Sequence, residues 1–246
     1  MFRDGALTEA EKADAESYFV ENGATASYGA VTVFRDYWNS RSEITEFPLI
    51  DTSSGVNFIQ AWLNCASLAS FPLIDTSSGT IFNGAWFNCY SLTSFPLIDT
   101  SSGVNFDSTW RGCNSLTSFP LLNTQNGSNF NEAWRDCSSL TSFPLIDTSS
   151  GVNFDSTWQF CNSLTSFPSN FFDSIKGGGF IDAFTGTNLN EVSIDGILVS
   201  LVTSGIAAGT RVFDQSGGSA PSIGTGQPAI DTLRSRGWTV TVTGGY

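Results

Sequence analysis

The chain has 246 residues, a formal net charge of −13 and no histidine, with 40% hydrophobic and 13% charged residues. This composition is too apolar for a disordered chain, and the negative charge disfavours nucleic acid and anionic lipid as partners at physiological pH. The absence of histidine removes the usual neutral-pH general base and the commonest zinc ligand.

The first predicted element is an N-terminal helix over about residues 9–21. Thr8 followed three residues later by Glu11 forms a capping box, and Gly23 suits the end of the helix. We expect residues 1–33 to form a helical cap on a repeat array. The segment lacks the apolar core of a secretory signal, and no run of about 18 apolar residues occurs elsewhere. We therefore expect no signal peptide and no membrane insertion.

A 24-residue repeat occupies the middle of the chain. Its clearest markers are Trp62, Trp86, Trp110, Trp134 and Trp158; Phe47, Phe71, Phe95, Phe119, Phe143 and Phe167; and Cys65, Cys89, Cys113, Cys137 and Cys161. Such self-similarity predicts coils that bury their apolar faces against one another. A degenerate first coil begins at Phe34, with Arg41 in place of cysteine, which indicates a terminal turn that faces solvent.

Within each repeat, the apolar spacing predicts a short helix. Phe106, Trp110 and Cys113 fall at i, i+4 and i+7, on one helical face. Asn105 or Asp107 would cap its N-terminus.

A short strand and a turn complete the predicted repeat. Phe119 and Leu121 alternate after Leu116, which would place both on one side of an extended segment. Glycine then recurs at one place in every turn, where we expect it to supply a positive φ angle. The positions are Gly55, Gly79, Gly103, Gly127 and Gly151.

The pattern FxxxWxxCxxLxxFPLIDTSSG resembles the BspA-type leucine-rich repeats of bacterial surface proteins and phage virion proteins. The resemblance covers about residues 34–192 and implies an α/β solenoid, a leucine-rich-repeat array of 24-residue coils. One departure is the proline after the strand phenylalanine in each coil, from Pro48 to Pro168. Because proline cannot donate to a ladder, we expect very short or interrupted strands there.

The period slips by two residues after Phe167, and the glycines at 177–179 absorb the shift. We expect a degenerate last coil marked by Phe180, Phe184, Leu189 and Val192.

Residues 193–246 are predicted to form an α/β C-terminal cap that continues and closes the sheet. The expected elements are a helix over 193–201 ending near Gly205, a strand over 210–214, a loop over 217–228, a helix over 229–237 and a strand over 238–243. In the last strand, Trp238, Val240 and Val242 would share one face. The closing stretch also resembles the C-terminal caps of repeat arrays in phage and environmental bacterial proteins.

Two polar columns have both a chemical and a structural interpretation. The cysteines would be buried structural thiols, with a disulfide or a metal site as the alternative. The acidic column would be ordinary turn chemistry, with calcium binding as the alternative; its members are Asp51, Asp75, Asp99, Asn123 and Asp147. We predict no metal site, no catalytic residue and no cofactor.

Two sets of residues are candidates for binding. The first is a uniform stripe expected to project from the sheet: Ser70, Pro72, Ile74, Ser94, Pro96, Ile98, Ser118, Pro120 and Leu122. The second varies in every property from coil to coil on the predicted helix surface: Leu63, Phe87, Arg111, Arg135 and Gln159. A parallel varied column runs through Ala66, Tyr90, Asn114, Ser138 and Asn162. For the first set, the alternative is that the IDTSSG loop covers the stripe. For the second, the alternative is that the varied positions are under no selection.

The resemblance implies a non-enzymatic virion or cell-surface protein displayed for adhesion or receptor binding. The expected partners are other virion or surface proteins, with a host receptor, a glycan or a second copy of the chain as further candidates. A purely structural virion component, such as a capsid decoration or tail scaffold, is the alternative. A polysaccharide-active enzyme is a third hypothesis, since parallel solenoids can hold paired carboxylates in a groove.

Overall fold

The computed structural model describes residues 31–47, 49–206 and 211–246. The predicted N-terminal helix and Pro48 lie outside the described residues.

Consecutive repeats stack on one another in register. Single parallel β-bridges link the coils, joining Val33 to Asn57, Asn57 to Ile81, Ile81 to Asn105, Asn105 to Asn129 and Asn129 to Asn153. The next bridge joins Asn153 to Gly179, which is the predicted slip of two residues. Stacking of this kind is what a solenoid requires. The assignment to leucine-rich repeats stays a prediction.

The helix predicted around Trp110 does not form, and a run of turns takes its place. The N–H groups of Ser108, Trp110 and Gly112 donate to carbonyl oxygens of the next coil, at 2.8–2.9 Å, whereas those of the residues between them donate three residues back. Ser108 and Gly112 have φ angles of 55° and 75°, which lie in the left-handed region. The four-residue spacing therefore marked the buried side chains correctly, but the hydrogen bonds run between coils.

A second element, the strand predicted around Phe119 and Leu121, is also absent, and the two side chains point in opposite directions. Leu122 N–H donates to Pro120 O at 2.9 Å, which closes a three-residue turn centred on Leu121. This turn leaves Leu121 62% exposed and returns Leu122 to the core. Bridges on this side join residues two places before the proline, as between Glu46 and Ser70 and between Ser142 and Ser166.

Three continuous columns of aromatic rings fill the core. The indoles stack from Trp38 to Trp158 and then on Phe184, with centroids 4.9–6.0 Å apart. One phenylalanine column runs from Phe34 to Phe180 at 5.3–5.6 Å. The other meets the indoles edge-on, as in the 4.8 Å contact between Trp110 and Phe119 at 74°. Stacked and edge-on pairs are the two geometries that aromatic rings favour.

Glycine in the IDTSSG turn has a role different from the one predicted. Gly103 is not among the residues with positive φ. A Cβ atom at Gly103 would lie 2.4 Å from Cζ of Phe106, and the equivalent glycines are equally crowded. The glycine is needed because the phenylalanine column passes directly over the backbone.

The C-terminal residues form the predicted helix, strand, helix and strand. Their bounds are α1 (Glu191–Thr203), β1 (Arg211–Asp214), α2 (Gly226–Ser235) and β2 (Trp238–Thr241). β1 and β2 pair in parallel, and a bridge from Phe180 to Phe213 connects this pair to the stacked coils. Neither helix has the length and apolarity that would span a bilayer, and no other helix occurs in the described ranges.

Details of the cap follow from its sequence. Asn190 caps α1 by accepting from Ser193 N–H at 2.9 Å, so the helix starts earlier than predicted and Val192 belongs to it. Leu189 is buried as expected, whereas Val192 is 76% exposed. The predicted apolar face of Trp238, Val240 and Val242 is buried, although β2 itself ends at Thr241.

We expect replacement of Trp110 by alanine to lower the free energy of unfolding by about 3–5 kcal/mol, because a fully buried ring is lost from the middle of a column. Urea denaturation followed by circular dichroism measures the change. The exposed Leu121→Ala variant is the control and should change stability by no more than about 0.5 kcal/mol. Equal losses in the two variants would contradict the ring-column core.

Candidate functional site

The turns that follow each tryptophan form one side of the stack, at residues 87–90, 111–114, 135–138 and 159–162, which we call the turn face. A groove of about 360 Å³ lies on this face. We call it the turn-face groove; it is lined by Phe87, Asn88, Tyr90, Arg111, Gly112, Asn114, Asp136, Ser138, Phe160 and Asn162. Its walls therefore come from four successive coils.

Gly112 interrupts a column of asparagine side chains on the floor of the groove. Asn64 and Asn88 occupy the equivalent place in the two preceding coils, and Asn88 Nδ2 donates to Asn64 Oδ1 at 3.0 Å. Gly112 ends this amide ladder, because a Cβ atom there would lie 2.5 Å from Asn88 Oδ1. The amide of Asn88 therefore occupies the space that a side chain at position 112 would need.

Phe160 stands at the far end of the groove in an unusual conformation. Its φ angle is 62°, and its ring is 40% exposed. A left-handed conformation costs a residue with a side chain roughly 1–2 kcal/mol, and only small residues (serine, asparagine, glycine and aspartate) fill this place in the earlier coils. A bulky, exposed aromatic residue at such a position contributes little to folding, which points to a role at the surface.

Two residues that line the groove, Arg111 and Asp136, belong to a cluster of four charged side chains that neutralise one another. Arg111 and Arg135 both bind Glu132: Arg135 Nη1 lies 2.6 Å from Oε1, and Arg111 Nη1 contacts Oε2. Their Nε atoms face Asp136 at 3.8 and 3.5 Å. The two arginines and two carboxylates have a formal charge of zero.

The arginines also hold two aromatic rings. Arg111 Cζ lies 5.2 Å from the centroid of Phe87, and Arg135 Cζ lies 5.7 Å from that of Phe160. Contacts of this length are cation–π interactions. Each ring is therefore fixed in orientation by a guanidinium group that is itself fixed by Glu132.

Two asparagines on the groove wall are held by backbone carbonyls. The carbonyl oxygens of Gly112 and Asp136 lie 3.1 and 2.5 Å from one end of the Asn114 carboxamide, which assigns the donor Nδ2 to that end. The carbonyl of Gly186, at 2.6 Å, assigns Nδ2 of Asn162 in the same way. In both residues the amide oxygen is then the acceptor on the other side of the carboxamide.

The varied positions predicted from the sequence meet on the turn face, although on turns and not on a helix. Phe87 and Arg111 line the groove, Arg135 supports it from beside Asp136, and Leu63 is half-buried on the same face beyond its lining. Gln159 is a correction, because it is only 7% exposed and offers no contact surface. The parallel varied column contributes Tyr90, Asn114, Ser138 and Asn162 to the lining.

The predicted sheet stripe is only partly exposed. Its serines are exposed and its prolines half-buried, but Ile74, Ile98 and Leu122 are at most 3% exposed. The turn after each proline exchanges the buried and exposed positions of the predicted stripe. The leucine immediately after the proline therefore faces solvent. These leucines, which we call the leucine row, are Leu49, Leu73, Leu97, Leu121 and Leu145, at 45–74% exposure.

The acidic column forms turns, as the structural interpretation predicted. Asp99 Oδ1 accepts from Ser101 N–H at 2.9 Å, and Asn123 Oδ1 accepts in the same way from Gln125 N–H at 3.2 Å. Asp51, Asp75 and Asp147 make the same bond. The hydrogen bonds from Ser101 lower the pKa of Asp99. Within the three described ranges, no three His, Cys, Asp or Glu side chains are grouped to hold a metal ion.

The thiol column is buried and bonded to the backbone. Cys113 Sγ donates to Trp86 O at 3.3 Å, and the other four cysteines make the same contact one coil back. All five are free thiols, and burial raises their pKa, to about 12 for Cys65. Arg41, at the equivalent place in the first coil, pairs with Glu43 and is partly buried, contrary to the predicted solvent-facing turn.

Two features were missed by sequence reasoning. A buried threonine follows each acidic residue and donates its hydroxyl to a carbonyl of the next coil, as Thr100 does to Asn123 O at 2.6 Å. The column that contains Gly112, Asp136 and Phe160 also went unnoticed, although it lies between the two varied columns and differs as strongly from coil to coil. Comparing coils at every position would have found it.

The chain was compared with profiles of known protein families, with curated proteins and with solved structures, and none of the three comparisons gave a match.

We expect Asp99→Ala to cost about 1 kcal/mol, because it removes the acceptor for the Ser101 N–H. Asp99→Asn should be nearly neutral, since Asn123 already fills this role. Urea denaturation at neutral pH compares the two variants. An equally large loss for Asp99→Asn would show that the charge and not the turn matters.

Raising the pH should destabilise the protein through the thiols. The folded-state pKa of Cys65 is raised to about 12 from an ordinary value of 9.0, so only the unfolded chain loses this proton between those values. The stability difference between the wild type and Cys65→Ala should therefore change by up to about 1.4 kcal/mol per pH unit in this window, to the disadvantage of the wild type. Below pH 9.0 the difference should stay constant. A difference that stays constant up to pH 12 would contradict the buried neutral thiol.

Proposed function

We propose that this chain is a non-enzymatic protein of a virion or a cell surface and that it binds its partner through the turn face. The virion or surface location rests on the resemblance of the repeats. The proposed partners are a host receptor, a glycan or another virion or surface protein.

The observation that carries the binding role is the contrast between the interior and the turn face. The coils repeat the same tryptophan, cysteine, leucine and phenylalanine inside. On the turn face, three neighbouring columns change from coil to coil and together line one groove. Packing needs the first pattern, whereas recognition of a specific partner is served by the second.

The arrangement of carboxylates supports a non-enzymatic role. Glycoside hydrolysis uses a pair of carboxyl groups, one of which donates a proton to the leaving group. Asp136, which lines the groove, and Glu132 both bind Arg111 and Arg135, so neither stands alone as one of such a pair.

The leucine row favours the purely structural alternative. Five exposed leucines at equal spacing form an apolar line, and such lines are ordinarily contact surfaces. Unlike the turn face, the row is the same in the five coils from Leu49 to Leu145, which suits packing against a regular assembly.

Adhesion is tested with fluorescent beads coated with the protein and mixed with a panel of Gram-positive and Gram-negative cells. We expect flow cytometry to detect retention on at least one strain and none for albumin-coated beads. The double variant Tyr90→Ala/Phe160→Asn should lose retention, whereas Leu97→Ser/Leu121→Ser should keep it.

Two results would overturn this proposal. Retention that depends on the leucine row and not on the turn face would place the contact elsewhere. Absence of retention on every strain, with co-sedimentation on purified particles, would establish the structural alternative.

A further inference from the structure

We infer that the turn-face groove binds a neutral oligosaccharide. This inference rests on the proposed function and names the chemical class of its partner. Four properties of the groove support it: its exposed aromatic rings, the zero formal charge of its charged cluster, its fixed amide groups, and backbone N–H groups that are already bonded between coils.

The exposed rings suit the apolar face of a sugar. Tyr90 at one end of the groove is 43% exposed, and Phe160 at the other is 40% exposed. The groove crosses four coils, and three chain-to-chain steps of about 4.8 Å give roughly 15 Å. A pyranose ring has a flat C–H face that packs against an aromatic ring, and a short chain of such rings fits between Tyr90 and Phe160.

The charges favour a neutral ligand. Arg111 and Arg135 are committed to Glu132 and Asp136, so the groove offers no unpaired cation to an acidic sugar. The net charge of −13 adds a long-range repulsion towards anions. A ligand that carries hydroxyl groups and no charge leaves this network intact.

The polar atoms of the groove are fixed before any ligand arrives. Their surroundings assign Nδ2 of Asn114 and of Asn162 to backbone carbonyls, and Asn88 bonds to Asn64. Their orientation therefore costs no side-chain entropy on binding. Amide oxygens held in this way are acceptors for sugar hydroxyl groups.

The backbone argues against an extended peptide. Peptides that bind along a surface commonly add a strand and need free N–H and C=O groups. On the turn face, Asn88 N–H donates to Arg111 O, Gly112 N–H to Arg135 O and Asp136 N–H to Gln159 O, all at 2.8–2.9 Å. These groups are used between the coils.

The decisive variant is Gly112→Asn. Asparagine tolerates positive φ, and Asn64 and Asn88 already occupy this column. A Cβ atom at position 112 would lie 2.5 Å from Asn88 Oδ1, so the Asn88 amide must move aside and the new side chain would occupy the groove floor. Phe160→Asn removes the ring at a position where asparagine tolerates the positive φ, and Leu121→Ser in the leucine row is the matched control.

Binding is measured by isothermal titration and saturation-transfer NMR with a fixed panel of neutral trisaccharides: cellotriose, maltotriose, mannotriose and triacetylchitotriose. We expect at least one to bind. Gly112→Asn and Phe160→Asn should each weaken that binding by at least about tenfold. Phe160→Asn should keep the melting temperature of the wild type, because asparagine tolerates positive φ, so its loss of binding is not a loss of fold. Leu121→Ser should bind as the wild type does.

A sulfated trisaccharide and an uncharged extended peptide complete the panel. The inference is overturned if no neutral sugar binds, if only the sulfated sugar or the peptide binds, or if Gly112→Asn leaves sugar binding unchanged. Cells that retain the beads without competition from any neutral sugar would overturn the inference and leave adhesion standing. Sugar binding without retention on cells would support the inference and contradict adhesion to cells.

Discussion

The structure depends on aromatic rings that stack at the spacing of the coils. Each coil places one indole and two phenyl rings over those of the coil before, and neighbouring centroids lie about one chain-to-chain spacing apart. Ring stacking and coil stacking therefore reinforce each other. The other repeated residues of each coil fit around the stacked rings. Glycine stands where a phenyl ring crosses the backbone, and the thiol and the threonine hydroxyl bond to carbonyls of adjacent coils.

The match also explains why the turn face can vary. Alternate N–H groups of each turn run bond to the next coil, so the backbone there is held without help from its side chains. Positions such as 88, 112, 136 and 160 accept asparagine, glycine, aspartate and phenylalanine with one backbone geometry. A surface whose backbone is fixed by its neighbours is free to change its chemistry, which is what a binding surface requires.

The sequence predicts the parts of this fold that depend on which side chains are buried. The 24-residue period, the slip of two residues before Phe180 and the C-terminal order of helices and strands follow from apolar spacing and glycine placement. The path of the backbone is harder to predict from the sequence. A four-residue spacing such as Phe106 to Trp110 is shared by a helix and by turns with a left-handed residue between them, and only the inter-coil bonds distinguish them. The turn at Leu121 likewise inverted the inside and outside of the predicted stripe. The groove could be anticipated only in part, because its floor is defined by the absence of a side chain at Gly112.

One sequence identity within the stack has a consequence for how the protein can change. Residues 91–110 and 139–158 have the same twenty amino acids, and both segments end at a tryptophan of the indole column. Recombination between them would remove or duplicate two whole coils without breaking a ring column or a bridge. Removal would place Gln159 and Phe160 directly after Trp110 and eliminate both arginines of the charge cluster. Modular loss and gain of coils would thus reshuffle the exposed chemistry in a single event while leaving the interior unchanged.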